Sequence, residues 1–293
     1  MKKDILFKGS AVALATPFDE NGIDYTALGR LIEFQIEGGT DAIVVCGTTG
    51  EASTLTETEK KEIIAFSVSA VGGRIPLIAG TGSNNTACAC RMSEFAAKAG
   101  ADGLLVVTPY YNKCTKKGLI EYYNEIAEAS ALPFIAYSVP SRTGVTIDPD
   151  TAFAISESRL AVGFKDAGDS ISETAKTIAK CGESLPVYSG NDDRILPVLS
   201  LGGKGVISVA ANILPKQIKR LCEMYFSGKA TEASALQTGL MPLITALFSE
   251  VNPIPLKAAM EKMGLCRNIL RAPLTEIGDE NRTLLEKALG SYF

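Results

Sequence analysis

Short apolar runs rich in Val, Ile and Leu recur along the first two thirds of the chain, at residues 11–14, 42–46, 76–79, 103–107, 133–137, 161–165, 186–189 and 205–209. They are continuous rather than alternating, as strands covered on both faces in a parallel sheet are. Between most of them lie segments of helical period, at 25–37, 57–71, 86–99, 118–129 and 171–180. Eight strand-helix units over roughly 225 residues predict an α/β fold, a (β/α)8 TIM barrel spanning residues 1–225.

Local signals agree with that frame. Thr56 followed by Glu59 has the spacing of a capping box, and Gly38-Gly39 and Gly100 sit where helices should end before strands two and four. A doubly wound open sheet competes, but no Gly-x-Gly-x-x-Gly follows an early strand; Gly80-Thr81-Gly82 is only a partial match. From Pro215 onward the pattern is helical, with breaks predicted at Gly228, Pro242, residues 252–255, Gly264 and Pro273. That is more helix than one barrel unit requires. Residues 226–293 therefore read as a C-terminal helical region packed beside the barrel.

Composition narrows the function classes. The 293 residues, 46% hydrophobic, suffice for one large domain or one with an appendage. A net charge of -4 and a pI near 5.2 leave no footprint for nucleic acid, and no basic run suggests an anionic membrane surface. A small-molecule partner is expected. Lys2, Lys3 and Asp4 lead into only a short apolar stretch, unlike a signal peptide, and no apolar segment is long enough to span a bilayer. The expected location is cytoplasmic. The seven cysteines are odd in number, scattered and without a Cys-x-x-Cys, so they read as reduced thiols rather than disulfide or zinc ligands. Histidine is absent altogether, which removes Ser-His-Asp and Cys-His catalysis and leaves proton transfer to Tyr, Lys, Asp, Glu or water. Cys46, ending a strand with no histidine to activate it, reads as a packing residue.

Chemistry in such barrels sits where strands end. Lys165 stands at the inner end of the apolar run 161–165. It is either an ordinary solvated lysine or a Schiff-base nucleophile, and holding a free lysine of pKa about 10.4 neutral near pH 7 costs roughly 4 to 5 kcal/mol unless its surroundings lower that value. Asp166 should point away from it by strand alternation. The other strand ends are rich in hydroxyls and glycine and poor in metal ligands, which suits a carbonyl or carboxylate substrate. Gly47-Thr48-Thr49-Gly50 is a cradle for an anion or an ordinary glycine turn. Tyr137 is a core tyrosine or, beside the lysine, a proton relay. Arg142 is a surface arginine or a planar fork for a carboxylate. Asp192-Asp193 reads as a loop or helix N-cap rather than a metal site.

Gly47-Thr48-Thr49-Gly50-Glu51, Pro109-Tyr110-Tyr111, Tyr137 with Val139-Pro140-Ser141-Arg142-Thr143-Gly144, Gly163-Phe164-Lys165-Asp166, Gly190-Asn191-Asp192 and Asn252-Pro253-Ile254-Pro255-Leu256-Lys257 fall in the order and spacing of the dihydrodipicolinate synthase family, which the whole chain resembles. The resemblance implies a pyruvate-dependent class I aldolase that condenses pyruvate with aspartate semialdehyde in lysine and diaminopimelate synthesis, with no cofactor and no metal. Lys165 would form the Schiff base and Tyr137 would shuttle protons. Thr48 would connect Tyr137 to Tyr111, which would reach in from a neighbouring subunit of a homotetramer built as a dimer of dimers. Thr49 would hold the pyruvate carboxylate through its backbone N–H, Arg142 would bind the carboxylate of the semialdehyde, and the carbonyls of Gly190 and Ile207 would face the lysine.

The chain departs from the family at two places. Ser138 stands where asparagine is common. The regulatory positions for lysine map to Ala52, Ser53, Glu57, Lys60, Asn84, Cys88 and Tyr110, with an acid missing at Cys88 and a cation at Lys60 that would repel an ammonium ligand. Weak or absent lysine inhibition is expected, and half-inhibition below about a millimolar would refute it. Two rivals share the scaffold: a lyase of the same superfamily acting on N-acetylneuraminate or another 2-keto acid, and a noncatalytic binding barrel.

Overall fold

The structure, a computed structural model, describes residues 4–290 and Tyr292; Lys2 and Lys3, part of the start considered above, lie outside the described residues. Eight parallel strands close into a barrel: β1 (Gly9–Ala13), β2 (Ala42–Val45), β3 (Leu77–Gly80), β4 (Gly103–Val107), β5 (Phe134–Ser138), β6 (Ala161–Asp166), β7 (Val187–Ser189) and β8 (Gly205–Ser208). Each pairs with its neighbour in sequence, and β8 pairs with β1, Ala11 lying opposite Ile207. All eight predicted strands are present, with ends shifted by at most two residues.

The helices form where caps and apolar faces coincide. α1 (Tyr25–Glu37) starts at Asp24, whose carboxylate accepts the Ala27 N–H. α2 (Glu57–Val71) carries the predicted Thr56/Glu59 capping box, and α3 (Thr86–Ala99) ends at Gly100 in the left-handed conformation. α4 (Lys116–Ser130), the one-turn α5 (Pro140–Thr143), α6 (Pro149–Ser156), α7 (Ile171–Cys181), α8 (Ile195–Ser200) and α9 (Pro215–Phe226) complete the ring. Beyond Gly228 come α10 (Ala230–Leu247), α11 (Ile254–Lys262) and α12 (Asp279–Leu289).

Pro242 does not break the chain; it lies inside α10. A proline removes one helical hydrogen bond, but Leu240, Leu243, Ile244, Ala246 and Leu247 are buried on both sides of it, and that continuous apolar face holds the helix together. A small antiparallel ladder of Phe18–Asp19 with Gly22–Ile23, not anticipated from the periodicity, follows β1.

Two apolar layers form the core. The larger lies between strands and helices; the smaller fills the barrel with residues such as Ala11, Val44, Ile78, Ile135, Tyr188 and Ile207. Tyr188 stacks on Phe7 at 4.5 Å and donates a hydrogen bond to the Phe7 carbonyl at 2.7 Å, filling the barrel toward the N-terminal ends of its strands. All seven cysteines are free thiols. Among the described residues no helix is long and apolar enough to cross a membrane.

Candidate active site

Strand alternation decides where Lys165 points. On β6, Phe164 packs in the outer layer, which turns Gly163 and Lys165 into the barrel. A Cβ on Gly163 would stand 2.9 Å from the Tyr188 ring, so glycine at this level leaves room for the tyrosine beneath the lysine. Lys165 is only 5% exposed, lies opposite Tyr137 in the β5–β6 register, and holds its Nζ 4.3 Å from the Tyr137 ring centroid. Asp166 turns outward, accepting from Thr174 at 2.6 Å and from the Gly168 N–H at 2.9 Å.

Burial lowers the Lys165 pKa to about 8; the Asp192 carboxylate works against that shift and the Arg142 charge adds to it. About a tenth of the amine is then neutral at pH 7, against well under a thousandth for a free lysine. Burial raises the Tyr137 phenol, while a hydrogen bond from Thr48 and the charge of Arg142 hold it down. The phenol therefore keeps its proton and can give it to a neighbour. Burial pushes the Cys46 thiol to about 12, which leaves it inert as a nucleophile near neutral pH.

The turn after β2 supplies Thr48 and Thr49. It is closed by the Glu51 N–H to the Thr48 carbonyl at 3.0 Å and anchored by the Thr16 hydroxyl on the Gly50 carbonyl at 2.7 Å. Thr49 accepts a hydrogen bond from Asn252 Nδ2 at 3.0 Å. Arg142 sits on the one-turn α5, with Nη2 donating to the Asn252 carbonyl at 3.1 Å. Gly190 presses its N–H onto the Asp166 carbonyl at 2.7 Å, and a Cβ there would come within 2.6 Å of Ala167 Cβ.

Lys165, Tyr137, Thr48, Thr49, Arg142 and Gly190 line one cavity of about 190 Å³ at the C-terminal ends of the strands. A lysine amine of lowered pKa, a phenol, two threonines and a guanidinium thus meet in a space suited to a small keto acid. Ile207 is fully buried in the barrel interior and is not among the lining residues. Tyr111 stands apart, 92% exposed with φ 68°.

A family model described as the dihydrodipicolinate synthetase family matches residues 6–291. The chain belongs to that family. It is 51% identical over 288 residues to 4-hydroxy-tetrahydrodipicolinate synthase of Thermoanaerobacter sp. (strain X514), covering 98% of this chain and 97% of the relative. The dihydrodipicolinate synthase structure from Aquifex aeolicus superposes with a TM-score of 0.96 at 45% identity, covering 98% of each chain. A structure described as the first monomeric dihydrodipicolinate synthase variant superposes at 0.95 with 41% identity, covering 97% of this chain and 96% of that one.

Within this family member, a second cavity of about 290 Å³ shares Thr48, Tyr137 and Arg142 with the first and extends to Ala52, Ser53, Lys60 and Tyr110. Glu57 faces Lys61 at 2.8 Å, the Asn84 carbonyl accepts from Asn112 at 2.9 Å, and Cys88 is half-buried.

Two residues around the site make contacts that the sequence did not reveal. Asp192 opens a 3-10 turn at residues 192–194 but caps a different segment: its Oδ2 accepts the Val209 and Ala210 N–H groups at 3.0 and 2.9 Å, and the side chain is buried. Asn252 lines both cavities. Its place in the motif 252–257 was visible, but its partners were not.

Proposed function

We propose that the chain condenses pyruvate with L-aspartate 4-semialdehyde through a Schiff base on Lys165, giving 4-hydroxy-tetrahydrodipicolinate for lysine and diaminopimelate biosynthesis. The observation that carries this reading is the enclosure of Lys165, its pKa lowered to about 8, in one cavity with Tyr137 and Arg142. The neutral amine adds to C2 of pyruvate, Tyr137 protonates the carbinolamine oxygen, and water leaves. The resulting iminium draws electrons from C3, which loses a proton and becomes the enamine carbon. That carbon attacks the aldehyde, whose oxygen takes up a proton. The semialdehyde's own amine then adds to C2, closes the ring and releases Lys165 as the free amine, with Tyr137 again moving the proton.

Thr49 holds the pyruvate carboxylate through its backbone N–H, and Arg142 binds the carboxylate of the semialdehyde as a planar fork. The carbonyl of Gly190 and, from the layer beneath the cavity, that of Ile207 face the lysine. Thr48 links Tyr137 to a neighbouring subunit's Tyr111 in a homotetramer built as a dimer of dimers. Residues 1–225 act as the catalytic barrel, residues 226–293 as a helical region supporting it, and the enzyme works in the cytoplasm.

Borohydride reduction with labelled pyruvate should add label to Lys165, and a coupled assay supplied with both substrates should show turnover. No adduct overturns the reaction class. An adduct with turnover of N-acetylneuraminate and none of the semialdehyde would select the rival lyase, and there Arg142→Ala would leave activity intact.

A further inference from the structure

Asn252 lies in the C-terminal helical region, yet it touches both groups assigned to the two substrate carboxylates. Its side-chain Nδ2 donates to Thr49 Oγ1 at 3.0 Å, and its backbone carbonyl accepts from Arg142 Nη2 at 3.1 Å. The residue is 7% exposed, lines the cavity, and its Oδ1 has no hydrogen-bond partner within the chain. The segment that carries it is pinned five residues on, where Lys257 Nζ meets Glu51 Oε1 at 2.5 Å and donates to the Ile269 carbonyl at 2.7 Å. One short stretch, residues 252–257, therefore grips the turn after β2 at two points, Thr49 and Glu51.

We infer that Asn252 is a positioning residue with divided duties: its side chain sets Thr49 for the first carboxylate, and its main chain sets Arg142 for the second. This rests on the proposed condensation. The division follows from chemistry, because a side-chain substitution deletes the amide and leaves the carbonyl in place. A residue that merely held the helical region together would disturb both contacts at once.

Asn252→Ala is expected to raise KM for pyruvate roughly 3- to 10-fold, the worth of one neutral hydrogen bond, while KM for aspartate semialdehyde and kcat stay within about twofold. Thr49→Val, which keeps the backbone N–H, should raise the same KM by a similar factor. The double variant should cost no more than either single one, since both remove one contact. Equal rises in both KM values, additive effects, or an unchanged pyruvate KM would overturn the inference. If Asn252→Ala fails to fold, the Thr49→Val result alone decides: no change in pyruvate KM refutes the role. Absence of pyruvate trapping on Lys165 in the unsubstituted protein overturns the underlying reaction, and this inference with it; intact trapping with unmoved KM values overturns the inference alone.

Discussion

A buried lysine is as reactive as the balance between its desolvation and its neighbours' charges allows. At Lys165 burial dominates and lowers the pKa to about 8, with Asp192 opposing. The sign is direct: below pH 8 the ammonium prevails and cannot attack, and above it the free amine does. The initial rate of pyruvate-dependent adduct formation, measured at subsaturating pyruvate, should climb with a midpoint near pH 8 and level off about one unit higher. Asp192→Asn removes the charge that favours the ammonium, so its midpoint should fall below that of the parent. A parent midpoint near 10 would mark a solvated lysine, and an unmoved midpoint in the variant would remove Asp192 from the account. Lys165 was legible because strand alternation is local. Asp192 was not, because its partners, the Val209 and Ala210 N–H groups, lie 17 and 18 residues away along the chain and are brought to it only by the adjacency of β7 and β8.

At the scale of elements, the turn after β2 and helix α11 are joined by an ion pair from which water is excluded: Lys257 and Glu51 are 0% and 1% exposed. Burial lowers the lysine's pKa and Glu51 holds it up, so the pair is stable only as a pair. Lys257 also sits 4.1 Å above the Phe18 ring, and Arg271 closes the assembly by donating its N–H to Glu51 at 3.0 Å and its guanidinium to Glu59. Glu51→Gln leaves a buried cation without its counter-charge and should cost about 3 to 5 kcal/mol of stability, read as a lowered urea midpoint. Glu51→Gln combined with Lys257→Met removes the stranded charge and should recover part of that loss. A single variant as stable as the parent would mean that water reaches the pair. Such cross-links are invisible in periodicity, which gave the eight strands and five of the helices between them but not α6 or α8. Pro242 shows the same limit: propensity marked a break, and the buried face of α10 overrode it.

The closed barrel itself was legible because all eight strands and most of the helices between them show in short local stretches of sequence. The placing of the C-terminal region over the site was not, since Asn252 and Thr49 are 203 residues apart in sequence. One residue asks for something outside a single chain. Tyr111 holds a large aromatic ring in solvent, 92% exposed, on a backbone with φ 68°, a conformation uncommon for a non-glycine residue. Its loop is nonetheless fixed, with the Asn112 N–H on the Tyr110 carbonyl and the Asn112 side chain on the Asn84 carbonyl, both at 2.9 Å. A hydrogen-bonded loop presenting an exposed tyrosine fits the proposal that the phenol completes a neighbouring subunit's relay through Thr48. Because a monomeric variant exists in the family, assembly has to be tested by function as well as by size. Tyr111→Phe should lower kcat about 100-fold or more, and Lys165→Ala should abolish turnover. Co-refolding the two inactive variants in equal amounts puts an intact Tyr111 beside an intact Lys165 in one of the two sites of each mixed dimer. Random pairing makes half the dimers mixed, so about a quarter of the parent activity should return. No recovery, with mixed dimers demonstrated by differential tagging, would confine Tyr111 to its own subunit or to no catalytic part at all.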